Sequence, residues 1–474
     1  MTVPTSDADR RLRLLADATA TLGTLSDVLN PLGERFAAAG HELFLVGGSV
    51  RDAILGRFSG DLDFTTDARP EKVQALLKGW VDKQWDTGIE FGTISAIKHG
   101  QEIEITTFRA DAYDRVSRNP IVEYGTTLAD DLVRRDFTVN AMAMKIGADG
   151  SYTFVDPLNG MDALLAGELD TPSAPENSFN DDPLRMLRAA RFVSQLGFTL
   201  NNRVFEAIKE MASQIERITA ERVQVELNKL MLGMYPVDGI NMMVDSGLAA
   251  YVLPEVPQMK LEIDEHHQHK DVYQHSLTVL QQAIDLEEGD PDLVLRWAAL
   301  LHDIGKPDTK RNEPGGGVSF HHHEVVGAKL VRKRMRALKF SKQMVDDVSQ
   351  LVFLHLRFHG YGKGQWTDSA VRRYVTDAGE LLPDCTSSSG PTAPRATSAA
   401  PRSCRPRTTT SKSGSRASRS RKTSLGCVRI SMATPSWNCS ASRPARRWAR
   451  HGRSSRNYVW IAGRSNVTRP KPNC

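Results

Sequence analysis

Residues 8–40 repeat apolar positions at helical spacing (Leu12, Leu14, Leu15, Leu22, Leu25, Val28, Leu29), which predicts a helical segment ahead of the first strand. From about 41 to 165 the pattern changes. Short apolar runs around Phe44, Leu62–Phe64, Thr93–Ile97, Ile103–Thr107 and Ala141–Ile146 alternate with turns, which predicts a mixed sheet with a few helices. From about 166 to 380 the period is helical almost throughout. Beyond about 384 the composition collapses into Ser, Arg, Thr and Pro with no sustained period, which predicts a disordered tail. The expected class is α+β: a sheet-containing head over 41–165 behind a helical segment 1–40, a helical neck over 166–235, a helical body over 236–383, and a low-complexity basic tail over 384–474.

At 474 residues the chain is too long for a single core. Its 40% hydrophobic and 25% charged content is ordinary for globular protein. No apolar run reaches membrane-spanning length, and the N-terminus MTVPTSDADRRLRLL has no signal-peptide core, so a cytoplasmic location without a membrane partner is expected. The net charge of +4 conceals an asymmetry. Nineteen of the 61 bases follow Asp384 and no acid does, which leaves 42 bases against all 57 acids in the first 384 residues, a net of −15. Any nucleic-acid contact must therefore use a local basic face. All five cysteines (Cys385, Cys404, Cys427, Cys439, Cys474) lie in the tail, at spacings that fit no zinc pattern.

The densest chemistry lies in LFLVGGSVRDAILGRFSGDLDFT, Leu43 to Thr65. The strand-like run Leu43–Val46 breaks at Gly47–Gly48–Ser49, where backbone amides can approach a phosphate without obstruction by Cβ. A helix containing Arg51 should open there. Asp61 and Asp63 alternate with Leu62 and Phe64, so both carboxylates face one side of a strand. Two such carboxylates repel unless a cation lies between them, and Mg²⁺ shared with substrate phosphates is the usual solution. Glu104, one strand period from Glu102, is a candidate third carboxylate, although alternating glutamates also occur on solvated strand faces.

Two further segments carry polar residues in apolar settings. In RRDFTVNA, Arg134, Arg135, Asp136 and Asn140 suit recognition of triphosphate and ribose, while a structural salt bridge from one arginine to Asp136 is the simpler alternative. In DDPLRMLRAARF, Asp182, Arg185, Arg188 and Arg191 recur every three residues, which on a helix gives one edge of donors and acceptors able to read a base. A solvated basic stripe is the alternative there.

Together these motifs resemble the bacterial CCA-adding tRNA nucleotidyltransferases of the polymerase β-like superfamily, which share their architecture with bacterial poly(A) polymerases. TAERVQVELNKLM, residues 219–231, resembles the family's helical motif that supports the base-reading segment. Asp181 stands where the family usually has Glu. The resemblance implies two Mg²⁺ ions on Asp61 and Asp63, a triphosphate held by Gly48, Ser49 and Arg51, and Asp182 with Arg185 reading cytosine or adenine. It implies CTP, ATP and the tRNA 3′ end as partners. Residues 110–128 resemble the family's flexible loop, which favours full CCA or CC addition. A poly(A) polymerase, a CC-adding enzyme and a catalytically dead RNA-binding protein are the alternatives.

His275, LHDIGKP (with His302 and Asp303), FHHHE (with His323) and His355 resemble the metal-dependent HD phosphohydrolases. That resemblance implies a second site for a transition metal such as Mn²⁺, Ni²⁺ or Co²⁺. The competing expectation is a helical scaffold that has lost this chemistry. His266, His267 and His269 read as a polar loop. After Leu382–Pro383–Asp384 the resemblance stops. The acid-free tail has the composition of a GC-rich gene read out of frame, and RKTSLGCVRISMAT at Arg421–Thr434 can be recoded in another frame as EDLARVRPDLDGN. A frameshift near Pro383 is the expectation, against a natural basic tail that holds RNA electrostatically.

Overall fold

The computed structural model describes residues 7–58, 60–110, 123–261, 271–287, 289–314, 317–358 and 377–381. All lie in one unit, residues 1–393. The flexible-loop expectation for 111–122, the polar-loop histidines and the tail from 384 fall outside them.

The predicted N-terminal helical segment forms α1 (Asp7–Gly23) and α2 (Ser26–Ala38). Val28, Leu29, Leu32 and Phe36 are buried on α2. Gly33 lets this helix lie directly on the sheet, since a Cβ there would stand 2.7 Å from Ile146 Cγ2. The head then runs β1 (Leu43–Val46), α3 (Gly48–Ile54), β2 (Leu62–Thr66), α4 (Pro70–Leu77), β3 (Lys83–Trp85), β4 (Thr93–Lys98) and β5 (Gln101–Thr107). A short ladder pairs β6 (Arg109–Ala110) with β7 (Glu123–Tyr124), and α5 (Leu128–Val133), β8 (Ala143–Ile146) and β9 (Tyr152–Val155) follow. The seven-stranded sheet has the order β3-β4-β5-β2-β1-β8-β9. Only β2 and β5 pair parallel, which makes the sheet mixed, as the pattern predicted.

β1 is buried along its whole length because both faces are covered. Leu43 and Leu45 join the main core, whereas Phe44 and Val46 pack with Phe108, Leu132, Ala141 and Ala143 in a smaller cluster. The edge strands β3 and β9 carry no fully buried residue, and short half-exposed strands of this kind leave little apolar signal. The run expected to be extended from Ala141 begins its strand at Ala143, after a 3₁₀ turn at Thr138–Asn140.

Past the head come α6 (Gly160–Ala166), α7 (Pro175–Asp181), α8 (Leu184–Leu196), α9 (Asn202–Met211), α10 (Ala220–Met231) and α11 (Pro236–Asp245). Two-residue strands Glu168–Leu169 and Thr199–Leu200 add a short parallel ladder. Helix α8 is largely buried between α10 and α11. Gly239 permits that approach, since a Cβ there would meet the Ala190 carbonyl at 2.8 Å. Two short helices, α12 (Ala249–Val252) and α13 (Glu255–Gln258), lead to α14 (Val272–Leu286), α15 (Leu293–Leu301), α16 (Lys306–Thr309), α17 (His323–Ala337) and α18 (Lys342–Leu354). Among the described residues no helix is long and apolar enough to cross a membrane.

Arg296 ties the neck to these last helices. Its Nη1 donates to the Met231 and Gly233 carbonyls at 2.7 and 2.8 Å, and its Nε and Nη2 donate to Glu287 at 2.8 and 2.7 Å. Both ion-pair partners are buried. Arg296→Met should therefore lower unfolding stability by roughly 3–5 kcal/mol, because it strands a buried carboxylate and two carbonyls. Denaturant titration of the variant checks this, and a loss below about 1 kcal/mol would mean that water reaches the pair.

Candidate active site

The glycine turn and the two aspartates are joined by one hydroxyl. Ser49 Oγ donates to the Asp61 carbonyl at 2.8 Å and accepts from the Asp63 N–H at 3.1 Å. Gly47 opens the turn at φ 69°, ψ −135°, a backbone state that side chains with Cβ rarely adopt. A Cβ there would also stand 2.9 Å from Arg135 Nη1, which would have to shift. Leu62 and Phe64 are buried, and Asp61 and Asp63 face away from them, as the alternation predicted.

The register of β2 and β5 sets Asp63 beside Glu104. Glu104 stands on the exposed face with Glu102, and Ser95 Oγ donates to it at 3.5 Å. Burial, then the Asp61 charge, push the Asp63 carboxyl up, against the lowering effect of Arg135. Burial, Asp63 and Glu102 push Glu104 up as well. A site that makes its own carboxylates hard to ionise has the chemistry of a cation site, because a bound cation removes that penalty. The three carboxylates do not, however, meet as tightly as the histidine cluster described below, which forms two triads sharing Asp303, each with its ligand atoms within 4.8 Å of one another.

Behind the turn runs a hydrogen-bonded relay. Arg51 forms a fork onto Asp52 (2.8 and 2.7 Å), and its Nη1 donates to Asn140 Oδ1 at 2.5 Å. Asn140 Nδ2 donates to Asp136 Oδ1 at 2.8 Å, and Asp136 Oδ2 pairs with Arg188 on α8 at 2.5 Å. Burial alone would raise the Asp136 carboxyl, but Arg188 and the Asn140 amide overcome it and hold the pKa below its ordinary value. The salt bridge to Asp136 therefore exists, with Arg188 as a partner. Arg135 instead pairs with Asp131 at 3.1 Å.

The base-reading candidates differ from the expected helix edge in one respect. Asp182 precedes α8 and has extended backbone (φ −141°, ψ 99°); the following Pro183 opens the helix in its place. Asp182 Oδ1 accepts from the Leu184 N–H at 3.1 Å and Oδ2 from Arg222 Nη2 at 2.7 Å. Arg185 donates to Ser178 Oγ at 2.8 Å and to the Arg134 carbonyl at 2.6 Å. Arg191 is nearly covered and stands 3.3 Å from Glu226; burial lowers its pKa to about 10 in spite of that carboxylate. Arg222, Glu226 and Ser178 were missed from sequence, although Arg222 and Glu226 lie in the helical motif at 219–231. Gly47, Gly48, Ser49, Arg51, Asp61, Asp63, Arg135, Asp136, Asn140, Asp182, Arg185, Arg188 and Arg191 all line one open cleft of about 450 Å³.

The second cluster sits on different helices. Asp303 is buried among His302 (3.1 Å), His323 (3.2 Å), His355 (3.7 Å), His275 (3.7 Å) and the Lys306 ammonium (3.0 Å). Each inner imidazole turns Nδ1 to the carbonyl three residues before it: His302 to Ala299 (2.9 Å), His323 to Phe320 (2.8 Å), His355 to Val352 (2.6 Å). That contact puts the proton on Nδ1 and aims the Nε2 lone pair inward, the tautomer of a metal ligand. The Nε2 atoms of His323 and His355 face one another at 3.2 Å, an arrangement that a proton or a metal between them relieves. Burial opposes ionisation of Asp303, but the surrounding imidazoles hold its pKa well down. The donor set fits a divalent metal.

Three family models match this chain: the poly A polymerase head domain over residues 43–170, the probable RNA- and SrmB-binding site of polymerase A over 197–259, and the HD domain over 272–382. The CCA-adding enzyme of Levilactobacillus brevis is 39% identical over 239 residues, covering 50% of this chain and 58% of that protein. That of Anoxybacillus flavithermus is 40% identical, covering 47% and 54%. The crystal structure of the Bacillus stearothermophilus CCA-adding enzyme with CTP aligns over 75% of each chain, with 28% identity and a TM-score of 0.57. The chain thus matches a poly A polymerase head, an RNA-binding neck segment and an HD domain in succession, and is similar to bacterial CCA-adding enzymes. It spans little more than half the length of the curated relatives that it matches.

The raised Asp63 pKa has a testable sign. The metal-free fold gains stability from protonated Asp63, fully below the unfolded value and lost as pH rises through the raised folded one. Asp63→Asn should then raise the melting temperature of metal-free protein at neutral pH and flatten its acid-range dependence. A melting temperature below the parent's under those conditions would contradict the electrostatic account.

Proposed function

We propose that this chain adds the 3′-terminal CCA to tRNA from CTP and ATP without a nucleic-acid template. The observation that carries the reading is the shared cleft: the paired carboxylates on β2 open into the same space as Asp182 and Arg185 at the start of α8. Asp61 and Asp63, with Glu104 beside them, would hold Mg²⁺. That metal would supply Lewis acidity for the tRNA 3′ hydroxyl and for the departing pyrophosphate.

The protein's own residues would do the rest. Gly48 and Ser49 line the cleft, and their backbone N–H groups would take the triphosphate; the Ser49 hydroxyl is already committed to Asp61 and Asp63. Arg135 adds positive charge beside the turn. Arg51 and Asn140 hold the ribose side of the cleft in place through the Asp136 relay. Asp182 and Arg185 would meet the base edge, since both retain unused hydrogen-bonding capacity after their internal contacts. The names of the relatives favour full CCA addition over poly(A) or CC synthesis. Such an enzyme would work in the cytoplasm, where its substrates are made.

A second activity is supported by the HD cluster. Asp303 with His275, His302, His323 and His355 would hold a transition metal, Mn²⁺, Ni²⁺ or Co²⁺, for phosphoester hydrolysis.

Incubation with tRNA lacking CCA should give CC with CTP alone and CCA with CTP plus ATP. Long adenosine tracts would point to a poly(A) polymerase, and tRNA binding without incorporation to a dead RNA-binding protein. Asp61→Asn and Asp63→Asn should each reduce addition by more than tenfold, in line with loss of a metal-bridging charge, while tRNA binding stays nearly intact. Incorporation within about tenfold of the parent in either variant defeats the assignment. The double change His302→Ala with Asp303→Ala should leave CCA addition unchanged and remove metal-dependent phosphodiesterase activity. Absence of that activity in the parent with all three metals favours a scaffold role for the HD domain.

A further inference from the structure

We infer that the exposed face of α17 is a binding track for the phosphate backbone of the tRNA substrate, separate from the nucleotide cleft. The inference rests on the proposed tRNA substrate and concerns where the double-helical part of that RNA is held.

The first 384 residues carry 42 bases against 57 acids, so a polyanion needs a local exception to that balance. Residues 329–342 are such an exception, with seven bases and no acid. Helix α17 turns Gly327, Ala328, Val331 and Met335 to the core. Lys329, Lys333 and Arg336 are exposed, at spacings of four and three that place them on one outward face. Half-buried Arg332 borders them. None of these residues lines the nucleotide cleft.

Folding does not account for the stripe. Arg334, which leans inward, donates from Nε and Nη2 to Glu255, both at 2.9 Å. Among the described residues, Lys329, Arg332, Lys333 and Arg336 meet no carboxylate. Cations in a last turn complement the helix dipole, which covers Arg334 and Arg336. It does not cover Lys329, Arg332 and Lys333, which stand in mid-helix. Lys329 with Lys333, and Arg332 with Arg336, are like charges four apart, an arrangement that destabilises a helix. A bound polyanion removes that repulsion. From Lys329 to Arg336 the stripe runs roughly 10 Å along the axis, a length over which a nucleic-acid duplex presents several phosphates. A helix that lies on a lipid surface also turns apolar side chains outward. Among the described residues, no exposed large apolar side chain belongs to α17, so the chemistry favours RNA over membrane.

The test measures binding of tRNA lacking CCA, across salt concentration, in the full chain. It compares the parent, the triple variant Lys329→Ala/Lys333→Ala/Arg336→Ala, and a control with the same charge change on the head, Lys72→Ala/Lys78→Ala/Lys83→Ala. The α17 variant should melt no lower than the parent, since alanine favours helix and the repulsion is gone. Its tRNA affinity should fall by roughly tenfold or more at about 0.1 M salt, and its slope of log affinity on log salt by about two to three, as the loss of three phosphate contacts requires. The KM for tRNA should rise in step, while the KM for CTP stays within about twofold of the parent's. The head control should bind tRNA within about threefold of the parent. An α17 variant that keeps the parent's affinity and salt slope overturns the inference, as does a head control that loses as much, or a melting temperature several degrees below the parent's. Phosphatidylserine vesicles that sediment the parent but not the α17 variant, with tRNA binding unchanged, assign the stripe to a lipid surface instead. A parent that binds tRNA but adds no nucleotide overturns the proposed function and leaves the binding comparison to decide the stripe; a parent that binds no tRNA overturns both.

Discussion

Asp136 is the point on which the cleft depends. It is buried, it accepts from Asn140, and it pairs with Arg188. Through Asn140 it reaches Arg51 and the glycine turn; through Arg188 it reaches α8. Wall and floor of the cleft are thus connected by one chain of hydrogen bonds and an ion pair within an apolar setting. Such a chain has few alternative arrangements, because every slip leaves a buried donor or acceptor without a partner. Its contribution lies less in net folding energy, which desolvation largely offsets, than in allowing one relative placement of the sheet and the first neck helix.

Around that chain the charges are segregated. The carboxylates of Asp61, Asp63 and Glu104 occupy the sheet side, with Arg135 beside the glycine turn, and Arg185 and Arg188 stand on the neck helix α8. A nucleoside triphosphate has a matching polarity once a cation sits on its phosphates. The acidic bulk of the first 384 residues does not oppose this arrangement, since fields from exposed charges beyond about 10 Å are screened. The apolar residues that hold the site, Leu62, Phe64 and the four of β1, are also its closest neighbours in sequence. Local packing and local chemistry are therefore specified by the same short segment.

Much of this was legible from sequence because period and motif coincide. Alternation at Leu62–Phe64 showed which way Asp61 and Asp63 face, and the helical period before His302 placed it at a helix end. The edge strands β3 and β9 left no such trace, since neither has a fully buried residue. The arginines at 185, 188 and 191 show the limit of spacing arguments. Their three-residue repeat gave the helix but not the partners, and the partners separate them: Arg185 to Ser178 and a carbonyl, Arg188 to Asp136, Arg191 to Glu226. Long-range pairs depend on tertiary packing, which no local pattern encodes. Asp182 fell outside the helix because Pro183 caps it and the helix begins at Leu184.

The three inner histidines of the HD cluster share one local device, a ring nitrogen anchored to the carbonyl three residues back. The tautomer of each is thereby set by its own stretch of chain, whereas its charge also answers to Asp303. Their separation has a different origin: it follows from how closely the helices dock, and at one place this is set by Gly305, where an added Cβ would lie 2.3 Å from the His323 carbonyl and 2.6 Å from the Gly327 nitrogen. Ligand identity and ligand spacing can therefore drift independently over evolutionary time. Exchanges among small packing residues, none of them a ligand, would retune the bite of the site, and with it the ion that suits it best, while every histidine stayed in place.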